Sequence, residues 1–355
     1  MNSRISSLDY LRGFAAFGIL AYHFISWSYG HLPADSFLGR VGLYGVAVFY
    51  VLSGLTLYHV YEQKLVPTRT TIADFYLKRV FRLMPLLWVV MAAYVVVAPE
   101  FRELQMILLN YTGLFGFVSW DKAIGTGVWS IGNELVFYAL FPLFIFAAKY
   151  SRLSFILLCV LFLGVALYFA YSLVSPSVIL EQQWHLYVNP LNQVFLFLGG
   201  CALGRFSKYK NFTPALTAAL LLAAILIFSF YPTPVASSAI VTGFNRFVFA
   251  GCCFMACLAM YKLPLVLPEL PGKALKILGE VSYGLYLLHP LVYKVFDAKP
   301  FGLAPWLVVI LSTITSIGLS YFVYHKFEVP FIRLGQKVSK QLLTSREIQN
   351  TSVTR

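Results

Sequence analysis

The stretch "LDYLRGFAAFGILAYHF", residues 8–24, decides how the chain is read: it is apolar enough to lie in a membrane, yet it carries Arg12 and His23. At about 100° per residue, the eleven-residue spacing turns the helix roughly 1100°, about 20° past three full turns, and rises roughly 16 Å. The two side chains therefore share one face. A charged group inside a span faces a bundle interior or a wet cavity, because even the mildest scale charges about 2.5 kcal/mol for an arginine at mid-bilayer. Arg12 and His23 thus point to a polar interior, and the rest of the chain says what surrounds it.

Composition fixes the solvent. Hydrophobic residues make up 59% of the 355, charged residues 12%, and mean hydropathy is +0.76, whereas about 25% of residues are charged in soluble domains. Apolar runs near 7–28, 40–60, 83–98, 128–148, 153–175, 188–204, 213–231, 238–261, 277–297 and 303–325 each approach the roughly 20 residues that cross about 30 Å of hydrocarbon. The expected fold is all-α, a polytopic membrane protein of about ten transmembrane helices. The first run reads as a retained span, since it holds charges and no small-residue cleavage site follows.

The net charge of +13 is a topology signal. With alternating spans, Arg40, Arg102, Lys122, Lys294 and Lys299 fall on one side. Every other Lys and Arg, apart from Arg12 and Arg246 within spans, falls on the side of the N-terminus. The positive-inside rule then puts both termini in the cytoplasm. With no soluble basic domain, nucleic acid is excluded as a partner, and the lipid bilayer is the expected surrounding. Cys159, Cys201, Cys252, Cys253 and Cys257 all lie in apolar runs, so they read as packing residues rather than a disulfide or metal framework. No metal-binding motif is present.

Within residues 61–82 and just beyond, "DFYLKRVFRLMP" alternates Phe75, Leu77, Val80 and Phe81 with cations, the pattern of a cytoplasmic amphipathic helix between spans two and three. "LQMILLNYTGLFGF", residues 104–117, is apolar but short and suits a re-entrant or interfacial element. Residues 1–335 form the expected membrane domain, and 336–355 a polar, mobile cytoplasmic tail. His31, His59, His185 and His325 read as surface residues in loops or at span ends.

Further polar residues sit inside other runs. "VWSIGNELVFYALFP", residues 128–142, carries Glu134, and "SYGLYLLHP", residues 282–290, carries Ser282 and His289. Alternation brings His23, Glu134 and His289 to similar depth. A carboxylate beside an imidazole fixes the tautomer and stabilises the imidazolium, which is what general-base chemistry needs. Arg79 and Arg82, at i and i+3 of "RVFR", are neighbours on one helix face and suit a phosphate or an anionic headgroup. The expectation is a donor whose phosphates stay inside while its reactive end reaches into the membrane.

These motifs, in this order, resemble the acyltransferase-3 family of integral membrane acyltransferases, from residue 5 to about 334. The resemblance rests on Arg12 and His23 in the first run and on "GVAVFYVLSG" at 45–54. "RVFR" followed by "LMPLLW" adds to it, as do Trp129, Ser130, Glu134, Phe137, Tyr138 and Pro142. His289 and then Glu328 and Pro330 of "FEVPF" complete it. It implies an O-acyltransferase of the bacterial inner membrane using acyl-CoA, usually acetyl-CoA, on a hydroxyl of a glycan such as lipopolysaccharide O-antigen or exopolysaccharide. It implies Arg79, Arg82 and Arg12 as acyl-CoA contacts, His23 with Glu134 as the catalytic pair, and Ser130, Tyr138, Ser282 or His289 as substrate or oxyanion contacts. An oligomer is compatible with this reading. A transporter or flippase of an anionic acyl or glycan compound is the alternative. Three departures stand out. Tyr10 replaces a common Gly, and Gly132–Asn133 is expected to break the helix or line a cavity before Glu134. No segment matches the hydrolase-like domain fused to some members, so transfer would be completed by the membrane domain or by a separate protein.

Overall fold

A computed structural model describes residues 5–97, 103–263, 265–298 and 302–353, with side chains through Gln341. Arg4, Arg102, Lys299 and Arg355, used in the charge pattern, lie outside these residues. The order is α1 (Ser6–Tyr29), α2 (Phe37–Tyr61), α3 (Arg69–Val97), α4 (Leu104–Thr112), α5 (Phe115–Val118), α6 (Val128–Tyr150) and α7 (Arg152–Tyr168). There follow a π turn (Phe169–Leu173), a 3-10 turn (Leu180–Gln183), α8 (Trp184–Tyr187), α9 (Pro190–Ser207), α10 (Pro214–Phe230), α11 (Ser237–Ile240) and α12 (Gly243–Lys262). α13 (Glu269–Glu280), α14 (Ser282–Asp297), α15 (Pro305–Val323), a second π turn (Tyr324–Glu328) and α16 (Val329–Val353) complete it. Among the described residues there is no strand. Starts follow local chemistry: the side chains of Ser36, Ser151 and Thr213 each accept a backbone N–H three residues on, and Pro190 and Pro214 occupy first-turn positions, where a missing N–H costs nothing.

Every expected apolar run is helical, but the count of ten spans is not reached by length and composition. Among the described residues six helices are long and apolar enough to cross a bilayer, seven if Leu180–Tyr187 and Pro190–Ser207, bent by 58°, are one span. The shortfall has physical causes. α1 is diluted by Asp9, Arg12 and His23; α10 has 17 residues; and α14 has 16, set off from α13 at Val281. The segment expected as a separate surface helix is instead the first half of α3, which runs unbroken for 29 residues through Pro85. Within it Phe75 is fully buried, whereas Val80 is 43% exposed. Helix α16 crosses residue 336 and continues to Val353. Helix α6 does not break at Gly132–Asn133: Gly132 receives Phe115 and Gly116 against its backbone, and this pins the short α4–α5 element to the bundle.

The core is set by helices that approach backbone to backbone. A Cβ on Gly54 of α2 would lie 1.9 Å from Phe197 O of α9, and one on Gly200 would lie 2.2 Å from Val51 O. Small residues at such crossings replace the hydrophobic drive that lipid cannot supply. At the end of this pair Glu62 accepts hydrogen bonds from Tyr58, Tyr209 and Lys208. Burial raises the Glu62 pKa, but those bonds outweigh it and hold the carboxyl below its ordinary value. Arg40, expected in an outer segment, is buried in the first turn of α2 and donates to Phe228 O and Tyr231 O, each at 2.7 Å, at the end of α10. The free cysteines are largely buried among packed helices. Gly54→Ala is expected to destabilise the protein by about 1–3 kcal/mol through overpacking. Gly164→Ala, whose Cβ meets nothing within 4 Å, should be neutral or slightly stabilising; thermal unfolding in detergent distinguishes the two.

Candidate active site

α1, α2, α3, α6, α13 and α14 enclose a cavity of about 530 Å³. Its walls carry Arg12, Arg79, Arg82, Ser130, Glu134, Tyr138 and Ser282, so seven of the nine residues singled out in the sequence share one space. Helix α1 places Arg12 inward, as its spacing with His23 requires. The guanidinium bonds Asp9 at 3.2 Å and Thr56 Oγ1 at 3.1 Å, and Asp9 is only 1% exposed. Asp9 was legible as an i, i+3 partner on the same helix face. His59, expected at the surface, also lines the cavity and bonds the Tyr261 hydroxyl at 2.8 Å.

The basic end is built by α3. Arg79 and Arg82 line both this cavity and a second one of about 420 Å³, where Lys78, Lys340, Ser339 and Asp74 join them. Arg79 lies about 6 Å from the rings of Tyr61, Phe75 and Tyr138, and its Nε has no hydrogen-bond partner. Two guanidiniums that line two neighbouring spaces suit an anion.

Glu134 departs from expectation. Its carboxylate accepts from Ser53 Oγ at 2.9 Å and from the Tyr138 hydroxyl, and no hydrogen bond joins it to His23. Depth along two helices says nothing of azimuth, and α6 turns Glu134 toward α2. Tyr138 and Ser53 were each on a motif; only their meeting was hidden.

The far end of the cavity closes on a hydroxyl layer. Ser130 Oγ lies 2.9 Å from Gly127 O and 3.0 Å from the Tyr286 hydroxyl, which donates to Gly127 O at 3.1 Å. Gly127 has φ +81°, and a Cβ there would stand 3.0 Å from that hydroxyl, so glycine is required on both counts. Neither His23 nor His289 lines the cavity, so the expected open passage from the arginines to the imidazole stops at Tyr286. His289 lies three residues further along α14, about 4.5 Å of helix rise.

There the two imidazoles form a pair. His23 Nδ1 and His289 Nε2 are 2.8 Å apart, with ring centroids 5.1 Å apart and planes within 9°, the geometry of an in-plane N–H···N bond rather than a face-to-face stack. Trp27 lies over His23 with centroids 4.8 Å apart and planes within 6°. His289 Nδ1 is 3.0 Å from Leu285 O, and a carbonyl can only accept, so that nitrogen carries the proton. With both rings neutral, His289 Nε2 accepts from His23 Nδ1–H, which leaves the lone pair of His23 on Nε2. The place beside His23 expected for Glu134 is occupied by His289, itself 1% exposed. Ser282 Oγ donates to Gly279 O at 2.9 Å at the start of α14. Glu328, on the second π turn, is 3% exposed, and neither carboxylate oxygen has a hydrogen-bond partner. Tyr286 was missed in the sequence, although Tyr283, Tyr286 and His289 recur every three residues on one face. The closed layer is testable by thiol labelling. Ser53→Cys should react with a small methanethiosulfonate and His289→Cys should not, until Tyr286→Ala opens the way.

The model of the acyltransferase domain family matches residues 5–325. The Bacillus subtilis (strain 168) protein YrhL, provisionally named a peptidoglycan O-acetyltransferase, is 25% identical across 98% of this chain and 58% of its own length. The O-acetyltransferase OatA of Staphylococcus aureus (strain NCTC 8325 / PS 47) is 25% identical across 94% of this chain and 58% of its own. The chain thus spans less than two thirds of the curated relatives it matches. No solved structure matches it. The motif order, the polar cavity that those motifs line and the match across residues 5–325 agree: this chain belongs to the acyltransferase-3 family.

Proposed function

We propose that the chain is a membrane O-acetyltransferase that moves an acetyl group from acetyl-CoA, entering at the arginine end, to a hydroxyl of a cell-envelope glycan at the histidine end. One observation carries the reading: a single cavity has two guanidiniums at one end and, a helical turn beyond the other, an imidazole whose Nδ1 is held by a second imidazole. Its volume lies in the range of small-molecule sites. The excess of Lys and Arg on the arginine side supports a cytoplasmic donor and an acceptor on the outer face. The name of YrhL favours a peptidoglycan acceptor over the O-antigen or exopolysaccharide suggested by sequence resemblance.

In this reading Arg79 and Arg82 hold the donor phosphates and Arg12 lies along the path of the pantetheine arm. Tyr286 swings aside as the thioester reaches the histidines. His23 Nε2 takes the proton of the acceptor hydroxyl, the alkoxide oxygen attacks the thioester carbonyl carbon, and the C–S bond breaks. The proton then passes from His23 to the departing thiolate. Ser130, released from the Tyr286 hydroxyl by that movement, supplies a donor for the tetrahedral oxyanion. His289 holds His23 in its tautomer, as the carboxylate does in a catalytic triad.

His23→Ala should abolish transfer from radiolabelled acetyl-CoA in membranes while expression and insertion persist; retained transfer would remove His23 from the chemistry. Arg79→Ala and Arg82→Ala should each raise the apparent KM for the donor several-fold, with kcat at saturation changing less. An unchanged KM would show that the phosphates bind elsewhere.

A further inference from the structure

Two arginines besides those of the site are buried in the bundle, and their surroundings differ. Arg40, 2% exposed, donates to the carbonyls that end α10 and to Thr233 Oγ1. That is a helix C-terminus, where a cation is favoured. Arg246, 4% exposed, is the fourth residue of α12 and so lies in the first turn, at the positive end of its helix dipole. Its Nη2 donates to Asn192 O at 2.5 Å and its guanidinium lies 5.3 Å from the ring centre of Phe195. Its Nη1 has no hydrogen-bond partner.

Arg246 lines a small cavity of about 20 Å³ with Tyr44, Tyr50, Trp129, Tyr187 and Gln193. No residue lining it bears a carboxylate. Three of its polar groups donate elsewhere: Tyr44 to Ile240 O at 2.6 Å, Tyr187 to Leu43 O at 3.0 Å, and Gln193 Nε2 to Tyr187 O at 2.7 Å. A permanently charged guanidinium thus sits in the bundle with two N–H bonds unused and no countercharge on the walls. A water molecule could occupy the N–H groups but would leave the charge uncompensated, and burying an unpaired charge is among the costliest arrangements a protein can adopt.

We propose that this cavity binds a monatomic anion, chloride in the cell, as the counter-ion of Arg246. The cavity is small, about 20 Å³ against the roughly 10–15 Å³ that a water needs, which favours a monatomic ion over a carboxylate or phosphate. Arg246 itself stands in the first turn of α12, where the helix dipole adds to the attraction for an anion. Tyr50 forms part of the wall between this cavity and the large one, so the ion lies behind the active-site lining and outside the path of the substrates.

The test uses the full chain in detergent and radioactive chloride at constant ionic strength, with gluconate as the replacing salt. Wild-type protein should bind chloride saturably, approaching one ion per chain, and bromide should displace it while acetate does not. Arg246→Gln should weaken binding about tenfold or more, and Arg246→Lys should retain it in part. Absence of saturable binding by the wild type, equal binding by folded Arg246→Gln, or displacement by acetate as effective as by bromide would each overturn the proposal. Should Arg246→Gln fail to fold, the wild-type thermal midpoint decides: it should rise in chloride relative to gluconate, and equal midpoints would refute the site.

Discussion

The constraint on which everything else depends is the price of an unsatisfied polar group away from water. Around the large cavity the bundle meets it by giving ionisable side chains polar partners. Arg12 meets Asp9 and Thr56, Glu134 meets Ser53 and Tyr138, and His23 meets His289. Each pairing needs a helix at a given rotation, so the polar interior fixes the azimuth of α1, α2, α6 and α14 that apolar packing alone would leave loose. The glycine crossing of α2 and α9 then brings α2 close enough to the core to hold that arrangement.

Seen along α14, the site is a ladder. Tyr283 donates to Leu83 O of α3 at 2.6 Å, Tyr286 closes the cavity against α6, and His289 reaches α1. Three rungs on one helix face thus tie three neighbouring helices at successive depths. This explains why a helix of only 16 residues, too short by length alone to span the bilayer, is buried along almost its whole length.

Much of this was legible in the sequence, and the limits have physical causes. Hydropathy locates helices because it reports a one-dimensional property, so every apolar run is helical. The eleven-residue spacing of Arg12 and His23 correctly turns both inward, since helical phase is conserved along a single element. Partners across helices are different. His23 was matched to Glu134 by depth, but the rotation of α6 against α1 is set by packing that no single run encodes. Likewise "DFYLKRVFRLMP" has the composition of a surface helix, yet Phe75 is buried by Tyr61 and Phe141, contacts made by segments far away in the chain. Arg246 stood out as a charge within a span, but nothing in its neighbours announced the missing countercharge.

The imidazole pair has a chemical corollary. A proton gained at His23 Nε2 can be shared onward to His289, but there the wire ends, because the carbonyl of Leu285 is too weak a base to receive it. The pair is a cul-de-sac with a single entrance. In the proposed reaction, a proton taken at His23 Nε2 leaves by the nitrogen that admitted it, so one atom acts in turn as base and as acid.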